Sequence, residues 1–560
     1  MMQRLIREPL FWILLAAAAL RLPGLFWGLP AADGWDDDGF APRNFLTALA
    51  LTWKPGAYFT YPPLHAIVLA IPSLPVAAWA LAHAPSLHPH DVISEITKPI
   101  YMTYFAILAR LISVTMSLGI IWCVGQMAQL VAGARAGLCA AAACALGFGL
   151  TYYGQVSNLD VPYLFWACLS LLWCMRAVVE QAPRRFWGAA LFAAAAVATK
   201  DQAYALFVLS LPLFLAAWFA MDAWPRQNMR AVLVPLLSAG FVALLALLLV
   251  DGAITNPSGF LKRVAFLTGP ASQDYAEYVH GPAGWWALLK VVFAYFGHGY
   301  GVVVLTLAAL GVAVHLPQAR GRARVGGLLP PLAMLSFTAC FNFAALRTDD
   351  RFLLPQGVLA CIYIGIAAAF VLQARPVLRL GGVIVLAGTA LFALHQAMAV
   401  NAAMLLDPRY DAERWLAAHA ISGDSIEVYD RNWLLPRFPA GVVVNRVGPT
   451  DVKSRNPLPG VTETQQPFGA PRKPRFILAS GLWMRRYRGV LRDPAPGRAW
   501  PPNRLADMRD ADARAHSAGL DNGSLGYQLV HVARFSSRWW PAVHIHDSLD
   551  EPIGIYERMR

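Results

Sequence analysis

Charge is scarce in this chain. Asp, Glu, Lys and Arg make up 14% of its 560 residues against 57% hydrophobic ones, and the mean hydropathy is +0.47. A soluble domain carries about a quarter of its residues charged, and a disordered chain has few apolar residues. Both classes are excluded. Period-two alternation is missing from the apolar runs, which excludes a membrane β-barrel. The seven cysteines, Cys123, Cys139, Cys144, Cys168, Cys174, Cys340 and Cys361, all fall in apolar stretches. No disulfide framework therefore holds the polar last third, and no zinc-ligand spacing occurs. The sequence has no glycine fingerprint of a nucleotide-binding fold, no solenoid repeat and no low-complexity tract. No histidine group or second carboxylate cluster is committed to an ion, so neither metal nor cofactor is expected. No small-residue cleavage site follows the first apolar run, which reads as a retained helix.

What the chain does have is apolar runs of about 18 to 25 residues, the length that crosses roughly 30 Å of hydrocarbon. The net charge of +13 is placed for a bilayer, and nucleic acid is not expected as a partner. Its basic residues fall in short breaks between runs: Arg4 and Arg7, Arg135, Arg184 and Arg185, Arg226 and Arg230, Arg320, Arg322 and Arg324, Arg375 and Arg379. Such breaks mark cytoplasmic loops. Spans are expected at 9–29, 104–131, 136–153, 161–179, 186–200, 203–222, 231–250, 286–314, 328–345, 352–372 and 378–400. Segment 62–83 is apolar enough to cross, but a crossing there breaks the parity downstream. It is expected to be re-entrant or interfacial, or paired with a second partial crossing, within about 11 to 13 spans in all.

After residue 400 prolines and arginines rise and the apolar runs shorten. Residues 1–400 are expected to form a membrane domain and 401–560 a soluble α/β domain. That domain has a helix at 408–420 and strands at 425–430, 441–447, 475–480, 526–534 and 542–546. Its Trp433, Trp483, Trp539 and Trp540 are either buried or glycan contacts. The fold class is an α-helical polytopic membrane protein with a C-terminal α/β domain.

Alternating the spans from an inside N-terminus gathers the chemistry-bearing residues on the outer face. The first outer loop reads Asp33-Gly34-Trp35-Asp36-Asp37-Asp38. Carboxylates so crowded repel one another, which raises a pKa and suits a general base; a solvated loop is the plain alternative. Asp160 stands before an apolar helix, as an N-cap or as a cavity residue. Lys200 is either a snorkelling lysine or a cation for a lipid-borne phosphate. Arg347 and Arg351 oppose the charge bias and need a partner, either Asp349 and Asp350 or a phosphate. Tyr275 and His280, in the loop 251–285, and Tyr61 and His65 are the substrate-contact candidates.

Taken in order, Arg21, the acidic loop, Tyr61-Pro62-Pro63-Leu64-His65, Arg110-Leu111, Asp160, Thr199-Lys200 and Arg351-Phe352-Leu353-Leu354-Pro355 resemble the membrane-embedded glycosyltransferases of the GT-C type. The likeness covers 1–400 and is nearest to bacterial relatives of protein O-mannosyltransferases and lipid A aminoarabinose transferases. It implies a polyprenyl-phosphate-linked hexose or pentose donor, a lipid, glycan or protein acceptor, and transfer on the extracytoplasmic face of a bacterial inner membrane. The family's acidic pair falls on Asp37 and Asp38, with Asp36 adjacent, and its second-loop aspartate on Asp160. Tyr61 stands where aminoarabinose transferases carry a lysine. The implied mechanism is inverting transfer with an Asp base, and Lys200, Arg347 and Arg351 on the phosphate. A transporter or lipid-linked glycan flippase is the alternative. It fits less well, because the charged groups gather at helix ends and no repeat is present.

Overall fold

The computed structural model describes residues 8–36, 38–429, 431–448, 456–467, 472–488, 494–502, 504, 510–543, 545 and 549–559. Asp37, and the basic residues Arg4 and Arg7, lie outside the described residues.

Nine helices among the described residues are long and apolar enough to cross a membrane, or ten if the bent pair Pro282–Gly299 and Val302–Gln318 is one span. The chain is a multi-pass membrane protein. The count is below the 11 to 13 expected because two segments are shorter than membrane length. The run at 136–153 breaks into Ala134–Ala145 and Phe148–Tyr153, and that at 186–200 is helical only over Phe186–Val197. Small residues explain how Ala134–Ala145 stays buried. Ala136, Gly137, Ala140 and Ala141 let the long helix Pro99–Ala132 and the helix Leu354–Leu372 approach closely, the usual basis of membrane helix packing. A Cβ on Gly365 would lie 2.4 Å from the Ala140 backbone nitrogen. The bend of 107° in the helix pair is made at Gly301, whose φ of 76° favours glycine.

Segment 62–83 forms one helix, Leu64–His83, despite Pro72 and Pro75 inside it. Its first amide donates to the Ala198 carbonyl at 3.0 Å, and Trp79 near its other end packs edge-on to Tyr101, with ring centroids 4.9 Å apart. Tyr101 lies in the first turn of the helix Pro99–Ala132. Just before that helix, the Thr97 carbonyl accepts a hydrogen bond of 2.7 Å from Asn456 of the soluble domain. Both ends of Leu64–His83 are thus tied to the face that bears the soluble domain, and by length and composition the helix is one of the nine able to cross. Arginine-bearing loops meet on the opposite face. Arg322 pairs with Asp222 at 3.2 Å, and Gly326 packs on Val131 and Val179.

The last membrane helix, Pro376–Leu405, runs past residue 400, and Asp407 then caps Pro408–His419. A sheet of six strands follows. Strands β1 (Ser425–Val428), β2 (Val443–Gly448), β3 (Thr462–Pro467) and β4 (Phe476–Ser480) are parallel; β6 (Ile553–Arg558) runs antiparallel to β4 and to β5 (Tyr527–Ala533). Their order is β3-β2-β1-β4-β6-β5. No strand forms over the described residues of 542–546: Val543 and Ile545 instead join the core of the membrane helices. The edge strand β3 is not foreseen from sequence. Its residues, Thr-Glu-Thr-Gln-Gln-Pro, present no apolar face, and backbone pairing to β2 holds them. Of the domain's tryptophans, Trp433 and Trp483 are buried, Trp540 is half-buried and Trp539 is exposed.

Candidate functional site

The acidic loop is fixed by the soluble domain. Trp35 is 2% exposed, and its Nε1–H donates to the Leu435 carbonyl at 3.1 Å. Two guanidiniums face its ring, Arg409 at 4.3 Å and Arg437 at 5.5 Å, with Tyr410 edge-on at 4.8 Å. Cation–π contacts of this kind gain strength when desolvated. Arg409 is itself held by Asp407, which also accepts from Trp27 Nε1 at 3.0 Å. Asp33, the first acid of the loop, is a tie: it accepts from Asn432 at 3.0 Å and pairs with Arg43 at 3.4 Å.

Beyond this clamp the loop turns towards the membrane helices. The Phe40 amide donates to the Ser157 carbonyl at 2.8 Å, and the Ser157 hydroxyl donates to the Ala41 carbonyl at 2.9 Å. These bonds hold Asp36 near the segment that leads into Asp160. Asp36 is buried, and its Oδ2 accepts no hydrogen bond among the described residues. Burial pushes its pKa up to about 6, and the charge of Asp160 acts in the same direction; Arg110, a Ser157 backbone bond and Arg351 oppose the rise. Asp38 is spent differently, in an ion pair with Arg351. Arg351 also donates to Asp349 through Nε at 3.1 Å, and its guanidinium lies 4.7 Å over the Phe352 ring.

Asp160 is wholly buried at the first position of the helix Asp160–Val179 and does not cap it. Asn158 takes the local role instead, its side chain accepting from the Asp160 amide at 3.2 Å. The Asp160 carboxylate is left to accept from Lys200 Nζ at 2.7 Å and from Gln202 at 3.4 Å. Lys200 is therefore paired and 8% exposed, not a snorkelling side chain. Next to it, both carboxylate oxygens of Asp201 accept from Arg263 Nη1 at 3.1 Å, and Arg263 Nη2 donates to Asp251 at 2.8 Å. Burial raises the Asp251 pKa to about 6 against the pull of Arg263.

Arg347 differs from Arg351. It has no carboxylate partner among the described residues, and its guanidinium sits between Tyr275 at 5.5 Å and Phe352 at 4.7 Å. Burial lowers its pKa, while Asp349, Tyr61, Tyr275 and Glu277 act to raise it. Leu346 just before it has a φ of 51°, a left-handed conformation that is costly for a bulky residue, and its carbonyl accepts from the Glu277 amide at 2.8 Å. Asp349 is electrostatically coupled to the same group: burial raises its pKa to about 7, Asp160 adds to this, and Arg347 and Lys200 oppose it.

The structure thus gathers Asp36, Asp38, Asp160, Lys200, Arg347 and Arg351 with Tyr61 and Tyr275 at one face. It does not deliver two of the substrate-contact candidates. His65 is 1% exposed and packs against Phe40, with ring centroids 5.9 Å apart, so it supports the loop from behind. His280 is exposed and has no side-chain partner among the described residues. Sequence reasoning missed Trp35, Gln202 and the Asp251–Arg263–Asp201 chain; apart from Asp251, twelve residues before Arg263, their partners are joined across long stretches of sequence.

No protein-family model matches this chain, and no curated protein does. Among solved structures the chain is similar to ArnT from Cupriavidus metallidurans bound to undecaprenyl phosphate, at 13% identity and a TM-score of 0.47, covering 97% of this chain and 98% of that one. It is also similar to the oligosaccharyltransferase AglB from Archaeoglobus fulgidus in complex with an inhibitory peptide and a dolichol-phosphate, at 12% identity and a TM-score of 0.40. That match covers 75% of this chain and spans 62% of the archaeal protein.

Proposed function

We propose that this protein transfers a sugar from a polyprenyl-phosphate-linked donor to an acceptor hydroxyl. The observation that carries the reading is a buried carboxylate with an open oxygen, Asp36, grouped with a cation that lacks a carboxylate partner among the described residues, Arg347, where membrane helices meet a soluble domain. A phosphate leaves as a weak base and needs no general acid, so one base and a cationic clamp suffice. Asp36 takes the proton of the acceptor hydroxyl. The hydroxyl oxygen attacks the anomeric carbon in line, the bond from that carbon to the phosphate oxygen breaks, and configuration inverts. Arg347 receives the phosphate, with Arg351 beside it. Lys200 keeps its contact with Asp160 and gives a second N–H of its ammonium group to a phosphate oxygen.

In this reading 1–400 is the catalytic unit and 401–560 the unit that holds the acidic loop in place. The arginine loops opposite the soluble domain face the cytoplasm by the positive-inside bias, which puts the site on the extracytoplasmic side of a bacterial inner membrane. The test uses the purified chain in nanodiscs with polyprenyl-phosphate sugars, and follows release of free polyprenyl phosphate. Asp36→Asn should lower the rate by about 10² to 10⁴-fold, the usual range for general-base help. Full activity in that variant would remove Asp36 from the role; movement of lipid between leaflets without cleavage would favour a flippase.

A further inference from the structure

The soluble domain carries a segment that does not belong to its own core. Between β5 and β6 the chain leaves the sheet, and Phe535, Trp540 and Val543 pack against the cluster formed by the membrane helices. The contact is fixed at His395, on the apolar helix Pro376–Leu405. Its Nε2 lies 3.3 Å from the Trp539 carbonyl oxygen, and its ring lies 5.0 Å from that of Trp540. His395 stands ten residues before the end of that helix, roughly 15 Å along its axis at about 1.5 Å per residue. The segment therefore reaches down the flank of a membrane helix, beside the exposed side chains of Leu391, Phe392 and Met398.

At that level Trp539 points away from the protein, 73% exposed, with the Arg538 guanidinium 5.4 Å from its ring. Arg534 and Arg538 are both exposed. An indole suits the boundary between headgroups and acyl chains, and arginines close to it suit lipid phosphates. We propose that residues 534–543 are an interfacial anchor by which the soluble domain grips a bilayer containing anionic phospholipid, with Trp539 in the headgroup–acyl boundary and Arg534 and Arg538 at the phosphates. The anchor is independent of the transferase reading, since it requires no donor and no acceptor.

The test attaches an environment-sensitive fluorophore to Trp539→Cys in the full chain, reconstituted in nanodiscs of phosphatidylcholine and phosphatidylglycerol. Ser524→Cys, exposed before the opposite end of β5, is the control within the same domain. The seven native cysteines are buried or half-buried, and the parent chain measures their background. The label at 539 should emit at shorter wavelength, and lipids bearing a nitroxide near the headgroup should quench it by roughly half or more; the label at 524 should show neither effect. Arg534→Gln with Arg538→Gln should reduce that quenching in the phosphatidylglycerol discs and leave it unchanged in pure phosphatidylcholine. Equal, water-like emission from both labels would overturn the proposal. If Trp539→Cys fails to give monodisperse protein, a label at Arg538→Cys on the same turn decides it by the same criterion.

Discussion

Asp36→Asn should make this protein more stable while it removes the proposed base. Burial raises the Asp36 pKa from 3.8 to about 6, so folding works against the ionised carboxylate. Between those two values the folded chain binds more protons than the unfolded chain, and stability falls as pH rises through the window. Above it the cost is complete, roughly 3 kcal/mol at about 1.36 kcal/mol per pKa unit. An asparagine carries no such charge. In detergent at about pH 7.5 the variant should unfold later than the parent, by roughly 2–3 °C for a chain of this length. The gain should shrink as pH falls below about 6, become small near 4 and vanish by about 3, below the unfolded value of 3.8, where Asp36 is protonated in the folded and the unfolded chain alike. Thermal unfolding across that pH range is the assay. A gain that does not change with pH, or no gain above the window, would refute the electrostatic account of the buried carboxylate.

The remaining predictions concern the groups around it. Sugar transfer should rise with pH through about 6 and level off, because Asp36 acts as a base only when ionised; a pH–rate profile for kcat/KM reads this directly. Lys200→Met leaves Asp160 buried without its cation and should cost about 3–5 kcal/mol, and adding Asp160→Asn should recover most of it, both read from thermal unfolding. Arg347→Gln should raise KM for the donor by about tenfold or more, with Arg347→Lys in between, since a lysine keeps the charge but loses the planar fork. Trp35→Phe keeps a ring but loses the hydrogen bond to Leu435; it should lower kcat more than it raises KM, at a stability cost of about 1 kcal/mol.

The acidic loop shows where sequence reading stopped. That four acids near the membrane matter is visible in the string Asp33 to Asp38. Their division of labour is not. Asp33 ties the loop to Asn432 and Arg43, and Asp38 pairs with Arg351. Asp36 alone among the described acids of the loop keeps a buried oxygen with neither a hydrogen bond nor an ion pair. Likewise Arg347 and Arg351 look equivalent as a pair four residues apart. Only the turn at Leu346 and the packing of Tyr275 separate a cation with a carboxylate from one that has none among the described residues. His65 reads as a polar group beside a Pro-Pro turn, yet the fold buries it behind Phe40.

Local composition is enough to set the membrane class, the arginine loops, the soluble region that follows and the segments that hold the acids and cations. An apolar run of sufficient length partitions into lipid wherever it lies in the chain, so these properties need no knowledge of packing. Packing was needed to learn that both ends of Leu64–His83 are tied to one face, that Asp160 meets Lys200, and that Trp35 is gripped by Arg409 and Arg437. Each of these joins residues distant in the chain, and only the arrangement of the helices against one another sets such distances. Residues 534–543 make the same point: an aromatic and basic stretch in a soluble domain acquires a place beside the membrane helices through His395 and the packing of Phe535, Trp540 and Val543.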